Sequence, residues 1–349
     1  MIELKNNELT FTFPDVHPDA QLTLTFQRTL RIPDDDDTYA LPPGLGTFPL
    51  KHVDDFRSKI PPSWNEHGGV MMPMFQAEAM WIDFSSEDID NRGEYCFIVK
   101  IATGKVNAVT GEDWRDSVNR APQDYLVVPT QPWLDGYCVE KGTIRQFVAM
   151  PLGAGYTAEE QVTGEARVGG VQIVVYPMKR EVFERRFPVR RWREDLGRRH
   201  SDEIMCSQAP EAALEETVHM DMGLAPGGKM RQEIYDDPYD LADWDLRHRS
   251  RCFVHLANSM TWRTVTGTEP PTKPPTAKEY SDRGLPWFDY YAEVPAVDGG
   301  GALGKSLKSV AQVSVEKKDA LFSEEQSVVP VIVHAVGPTP RPGDRVREW

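Results

Sequence analysis

Residues Gln21–Leu30 read QLTLTFQRTL. Polar and apolar side chains alternate along this stretch, and alternation at period two puts one set on each face of a β-strand. The same pattern runs through residues 8–13 (ELTFTF), and the PDVHPDA segment between the two is built of turn formers. The pair therefore reads as two half-buried antiparallel strands. Working outward, residues 97–109 (FIVKIATGKVNAV) predict a hairpin turning at Thr103 and Gly104, and residues 137–150 (YCVEKGTIRQFVAM) predict a second turning at Lys141 and Gly142. Short apolar runs at 125–128, 171–176, 229–234, 252–256 and 328–336 read as strands. Residues 259–265 and 276–280 predict short helices. Residues 70–84 are apolar and Met-rich without a period that separates helix from strand, and 306–315 is equally ambiguous.

No internal repeat is present, and strands do not alternate with helices of about 10–15 residues, which disfavours a doubly wound parallel sheet. The expected class is α+β, mainly antiparallel β with short helices and long ordered loops. Composition agrees with a water-soluble globular chain. Of 349 residues, 40% are hydrophobic and 10% aromatic, enough apolar surface to exclude global disorder. The net charge of -15 argues against generic nucleic-acid binding. No stretch approaches the roughly 18 apolar residues of a membrane helix, and the start MIELKNNELTF lacks the pattern of a secretory signal. Cys96, Cys138, Cys206 and Cys252 form no CxxC pair, so the expectation is a cytoplasmic protein with reduced thiols, no metal and no cofactor.

Charge is unevenly spread. Residues 179–200 hold nine Lys or Arg against four acids, and residues 201–222 hold six acids and no Lys or Arg. Three parts are expected: 1–178, a β-rich N-terminal part; 179–222, a charged insertion or linker; and 223–349, an α+β C-terminal part that can pack with the first. Arg185, Arg186, Arg190, Arg191, Trp192 and Arg193 form an expected interaction arm. Arginine interleaved with aromatics can hold single-stranded nucleic acid. The preferred reading is pairing with the acidic block that follows, or with the acidic surface of a second copy.

Four motifs carry alternative chemistry. Residues 299–306, GGGALGKS, fit GxxxxGK[ST], but no buried strand precedes them, and a glycine linker is the better reading. Residues 153–158, GAGYTA, fit GxGxx[GA]; Thr157 and Glu160 read instead as a capping box on a short helix stopped by Gly164. The acid-rich stretches at 34–37 and 236–245 lack calcium-loop spacing and read as solvated loop carboxylates. His255 and His334, in apolar runs, read as core residues.

Large aromatics occupy proline- or glycine-rich loops beside Asp135 and Asp289. Trp133, Tyr137, Arg145, Trp287 and Tyr290 are the expected ligand-binding set. With GxSxG, HExxH and HxH absent, the leading expectation is a non-catalytic binding or self-assembly protein, a homo-oligomer using loop aromatics and opposite charge blocks. The alternative is a hydrolase on a polar or sugar-like substrate, with Asp135 and Asp289 as acid and base and Arg145 binding an anionic group.

Overall fold

The computed structural model describes residues 1–35, 37–189, 221–273, 295–297 and 307–319, and the backbone of 287–290 and 333–336. Arg190, Arg191, Trp192, Arg193, Cys206, the helix expected at 276–280 and the 299–306 loop lie outside the described residues, as do the side chains of Trp287, Asp289, Tyr290 and His334.

The first strands are β1 (Ile2–Lys5), β2 (Glu8–Thr12), β3 (Gln21–Leu30), β4 (Thr38–Tyr39), β5 (Gly44–Thr47), β6 (Lys51–His52), β7 (Val70–Pro73) and β8 (Glu78–Ser86). The middle of the chain supplies β9 (Phe97–Thr103), β10 (Val106–Asn107), β11 (Leu126–Val128), β12 (Trp133–Leu134), β13 (Gly136–Glu140), β14 (Thr143–Pro151) and β15 (Val171–Pro177). Then come β16 (Met222–Arg231), β17 (Ser250–Ala257), β18 (Trp287–Tyr290) and β19 (Val333–Val336). The helices are short: α1 (Pro62–His67), α2 (Ala158–Thr163), α3 (Arg180–Arg186), α4 (Ser259–Thr266) and α5 (Val310–Lys317).

Alternation in Gln21–Leu30 has the consequence expected of it. Leu22, Leu24 and Phe26 are fully buried, and β2 supplies Leu9 and Phe11 to the same core from register pairs Leu9↔Leu24 and Phe11↔Leu22. On its other side β3 pairs with the whole of β8, from Leu22↔Ser86 to Leu30↔Glu78. Met80, Ile82 and Phe84 face the core, while Trp81, Asp83 and Ser85 face away. The ambiguous segment 70–84 is thus two strands. All four residues of β7 are buried, so it has no polar face to reveal a period.

The ladder continues from β8 to β14, β16, β17, β15 and β9, with β10 and β11 flanking β9. Most pairings are antiparallel; β4 on β16, β7 on β17, and β18 on β19 are parallel. Strands on either side of the 179–222 segment, β14 with β16 and β15 with β17, pair directly. One apolar cluster runs from Phe11 and Phe26 through Phe97, Ile101 and Phe147 to Leu256.

Both expected hairpins form, with Gly104 and Gly142 at positive φ. Strand β16 begins seven residues before the run that suggested it, because MGLAPGG lacks strand formers. Its glycines are needed for close packing: a Cβ on Gly228 would meet Pro33 O, and one on Gly227 would meet Val148 Cγ1. The capping box on α2 is present, with Gly164 left-handed behind it. Gly155 N–H donates to Glu160 Oε1 at 2.6 Å, so a carboxylate of the chain already occupies the place a phosphate would take. Cys96, Cys138 and Cys252 are buried free thiols. His255 is a core residue, stacked on Trp64 and hydrogen-bonded to Gly68 O.

Candidate functional site

Strand β12 lies antiparallel to β8 with Trp133 opposite Asp83 and Leu134 opposite Ile82. Leu134 and Ile82 point into the core, so Trp133, Asp83 and Asp135 share the other face. Trp133 Nε1 donates to Asp135 Oδ2 at 2.6 Å. Asp135 also donates its backbone N–H to Gln232 Oε1 at 2.9 Å. Gln232 and Gln131 both donate to Trp133 O, which fixes the short strand against the segment after β16. Asp135 is 6% exposed. Burial pushes its carboxyl up to about 7, against the opposing pull of the Trp133 N–H. Across the ladder, burial pushes Asp83 up to about 6. Asp83 was not among the residues expected from the sequence. Its signal was the alternation of residues 80–85, visible once the segment is read as a strand. The cleft beside Trp133, lined by Leu41, Gln131, Arg231, Gln232 and Tyr235 among others, has a volume of about 10 Å³, room for about one water molecule.

The remaining expected ligand residues go elsewhere. Tyr137 is fully buried, packs edge-on to Phe147, and donates its hydroxyl to Thr103 Oγ1 or Leu224 O, each about 3 Å away. Arg145 lies opposite Tyr137 on the ladder, yet its guanidinium reaches Gly227 O at 2.9 Å and Asp34 Oδ1 at 3.3 Å. Asp34 in turn accepts from Ala311 N–H in the first turn of α5. Trp287, Asp289 and Tyr290 lie in β18, a strand rather than a loop, with Asp289 opposite Ala335 on β19.

The base of the arginine arm is firmly seated. Val182 and Phe183 of α3 are buried, and Phe183 packs on Tyr95 with ring centroids 4.4 Å apart. Arg92 donates to Glu184 O and Phe187 O, closing the C-terminal carbonyls of the helix. Arg186 Nη2 meets Asp243 Oδ2 at 2.6 Å, and its guanidinium lies 5.4 Å from the centroid of the Tyr239 ring. Arg185 is exposed.

In the acid-rich stretch that receives α3, Asp236 and Asp240 are exposed, as are Asp35 and Asp37 of the earlier run, but the expectation of solvated carboxylates is corrected for three others. Asp237, Asp243 and Asp245 are all buried. Asp237 accepts from Tyr125 Oη at 2.6 Å and Trp244 Nε1 at 3.0 Å; Asp245 accepts from His248 and from two backbone amides. Asp34 is likewise enclosed, its side chain 1% exposed beside Arg145. Burying a carboxylate is tolerable only when donors surround it, and these loops supply them. Among the described residues no cluster of His, Cys, Asp or Glu is placed to hold a metal ion, and no helix is long and apolar enough to cross a membrane. No family model, curated protein or solved structure matches this chain.

Proposed function

We propose that this chain is a non-catalytic, cytoplasmic binding protein on an α+β frame with long ordered loops, and that it assembles with copies of itself through its opposite charge blocks. The Arg186–Asp243 pair carries the reading. It joins the first turns of the basic block to an acidic segment of the body, and Arg92 and Phe183 fix the helix from which the next arginines follow. Arg190, Arg191 and Arg193 continue that block, and the body of the protein, strongly acidic once the block is set aside, offers a second copy a complementary surface. The test is molar mass by light scattering across a salt series. An oligomer at low salt that dissociates at high salt, and that is lost in the R190E/R191E/R193E variant, supports the reading. A monomer at every salt concentration overturns it. Retention of RNA at low salt by a monomer would instead favour a nucleic-acid partner.

A hydrolase on a polar or sugar-like substrate is the second reading. It is favoured by Asp83 facing Trp133 across the β8–β12 ladder with Asp135 beside it, two carboxyls whose protonation burial shifts toward neutrality. Hydrolysis of a chromogenic glycoside that is abolished in both D83N and D135N would establish it; turnover unchanged in either variant would remove it.

A further inference from the structure

The loop between β10 and β11 folds back beside β9 and forms an open-mouthed cavity of about 260 Å³. Behind its lining stands Lys100, a fully buried residue of β9 that ties lining residues together without itself reaching the space. The ammonium donates to Asp124 Oδ2 at 2.8 Å, to Arg115 O at 2.9 Å and to Ser117 O. Its three N–H groups are thus spent on both limbs of one loop, which holds the loop concave. Asp124 accepts in addition from Asn119 N–H at 2.8 Å. Asn107 and Asp124, both buried, form the floor itself: Asn107 Oδ1 accepts from Val109 and Thr110 N–H, and its Nδ2 donates to Asp124 O.

The rim is the opposite. Glu112, Asp113, Arg115 and Ser117 are exposed around the mouth, and among the described residues their side chains make no hydrogen bond or ion pair with the protein. A saturated floor under an unspent polar rim is the arrangement of a ligand site, because the ordering of the loop is already done before a ligand arrives.

The mixture on the rim selects the ligand. An anion would face Glu112 and Asp113, and a cation would face Arg115. An apolar molecule finds Val118 as the single hydrocarbon side chain of the lining. A hydroxyl both donates and accepts, so it satisfies carboxylate, guanidinium and serine alike. The volume equals that of roughly eight or nine waters in the liquid. We propose that this cavity binds a small neutral polyhydroxylated molecule of monosaccharide size. The arm and β12 contribute nothing to it, so it stands apart from the assembly reading. Each hydrogen bond replaces one to water, so affinity is modest, with a Kd on the order of 1 mM.

The test is titration of the 15N-labelled full chain with glucose, galactose and N-acetylglucosamine, with sulfate and free arginine as charged comparators. The expected result is saturable amide shifts centred on residues 107–124 for at least one sugar, and none for the comparators. The D113A/R115A variant, altered only at exposed rim positions, should keep the fold and weaken binding at least about tenfold. Absence of saturable shifts with every sugar up to about 100 mM would overturn the proposal, as would saturation by sulfate or arginine instead, or undiminished affinity in the rim variant.

Discussion

Trp133 donates its indole N–H to Asp135 across 2.6 Å on the outward face of β12, while Leu134 between them points into the core. Strand geometry makes this bond possible, because residues two apart share a face. It also leaves a carboxyl buried with little to favour its charge.

Asp135 should make the protein less stable as pH rises. Its carboxyl is held at about 7 in the folded chain, above the ordinary value of about 4 for an unfolded aspartate. Between those values the folded state binds more protons, so this contribution is present below about pH 4 and lost as pH climbs to about 7. Glu78, also pushed up to about 7 by burial despite its ion pair with Arg28, adds a slope of the same sign. D135N keeps an oxygen for the indole and removes the titration. Urea unfolding at pH 5 and pH 8 should show the variant gaining on the parent at pH 8, by on the order of a few kcal/mol. Equal pH dependence in both proteins would show that Asp135 titrates normally.

The pair between Arg186 and Asp243 should contribute measurable coupling. Asp243 is mostly buried and Arg186 about one-third exposed, so solvent screening trims the interaction. A double-mutant cycle with R186A and D243N should return a coupling of about 1 kcal/mol, smaller in high salt. A coupling indistinguishable from zero would reduce the pair to a surface contact.

Replacing Lys100 should be costly. K100M strands Asp124 without its cation and frees the 115 and 117 carbonyls, a loss of about 3–5 kcal/mol. Hydrogen exchange of residues 108–124 should speed up more than that of β3. The K100M/D124N double variant should recover part of the loss, since the orphaned charge is then gone; no recovery would mean that packing of the lysine stem dominates.

Two glycines on the sheet should respond oppositely to alanine. A Cβ on Gly136 would run into Arg145 O across the β13–β14 hairpin, a backbone atom that cannot move without opening the ladder. On Gly44 it would sit 3.8 Å from Trp81 Cζ2, an ordinary contact. Thermal unfolding should show G136A destabilised by about 3 kcal/mol or more and G44A within about 1 kcal/mol of the parent. A mild G136A would indicate a hairpin more plastic than this register implies.

The features legible in the chain were those whose partners are near in sequence. The hairpins at Thr103–Gly104 and Lys141–Gly142, the alternation of β3, and the Thr157–Glu160 box each depend on interactions within a few residues, so local pattern carries them. The candidate site was legible only in fragments. Trp133 and Asp135 meet because they are two apart, but Asp83, 50 residues earlier, joins them only through the β8–β12 register.

By itself the sequence determined a β-rich, largely antiparallel fold and the places where its chain turns, because period and turn chemistry are properties of neighbouring residues. The tertiary structure decided which charges are used inside the protein. Arg145 meets Asp34 from 111 positions away, and Asp237, Asp243 and Asp245 became buried acceptors rather than wet loop acids. A carboxylate's burial and its donors are supplied by distant segments, and no stretch of its own sequence records which segments those are.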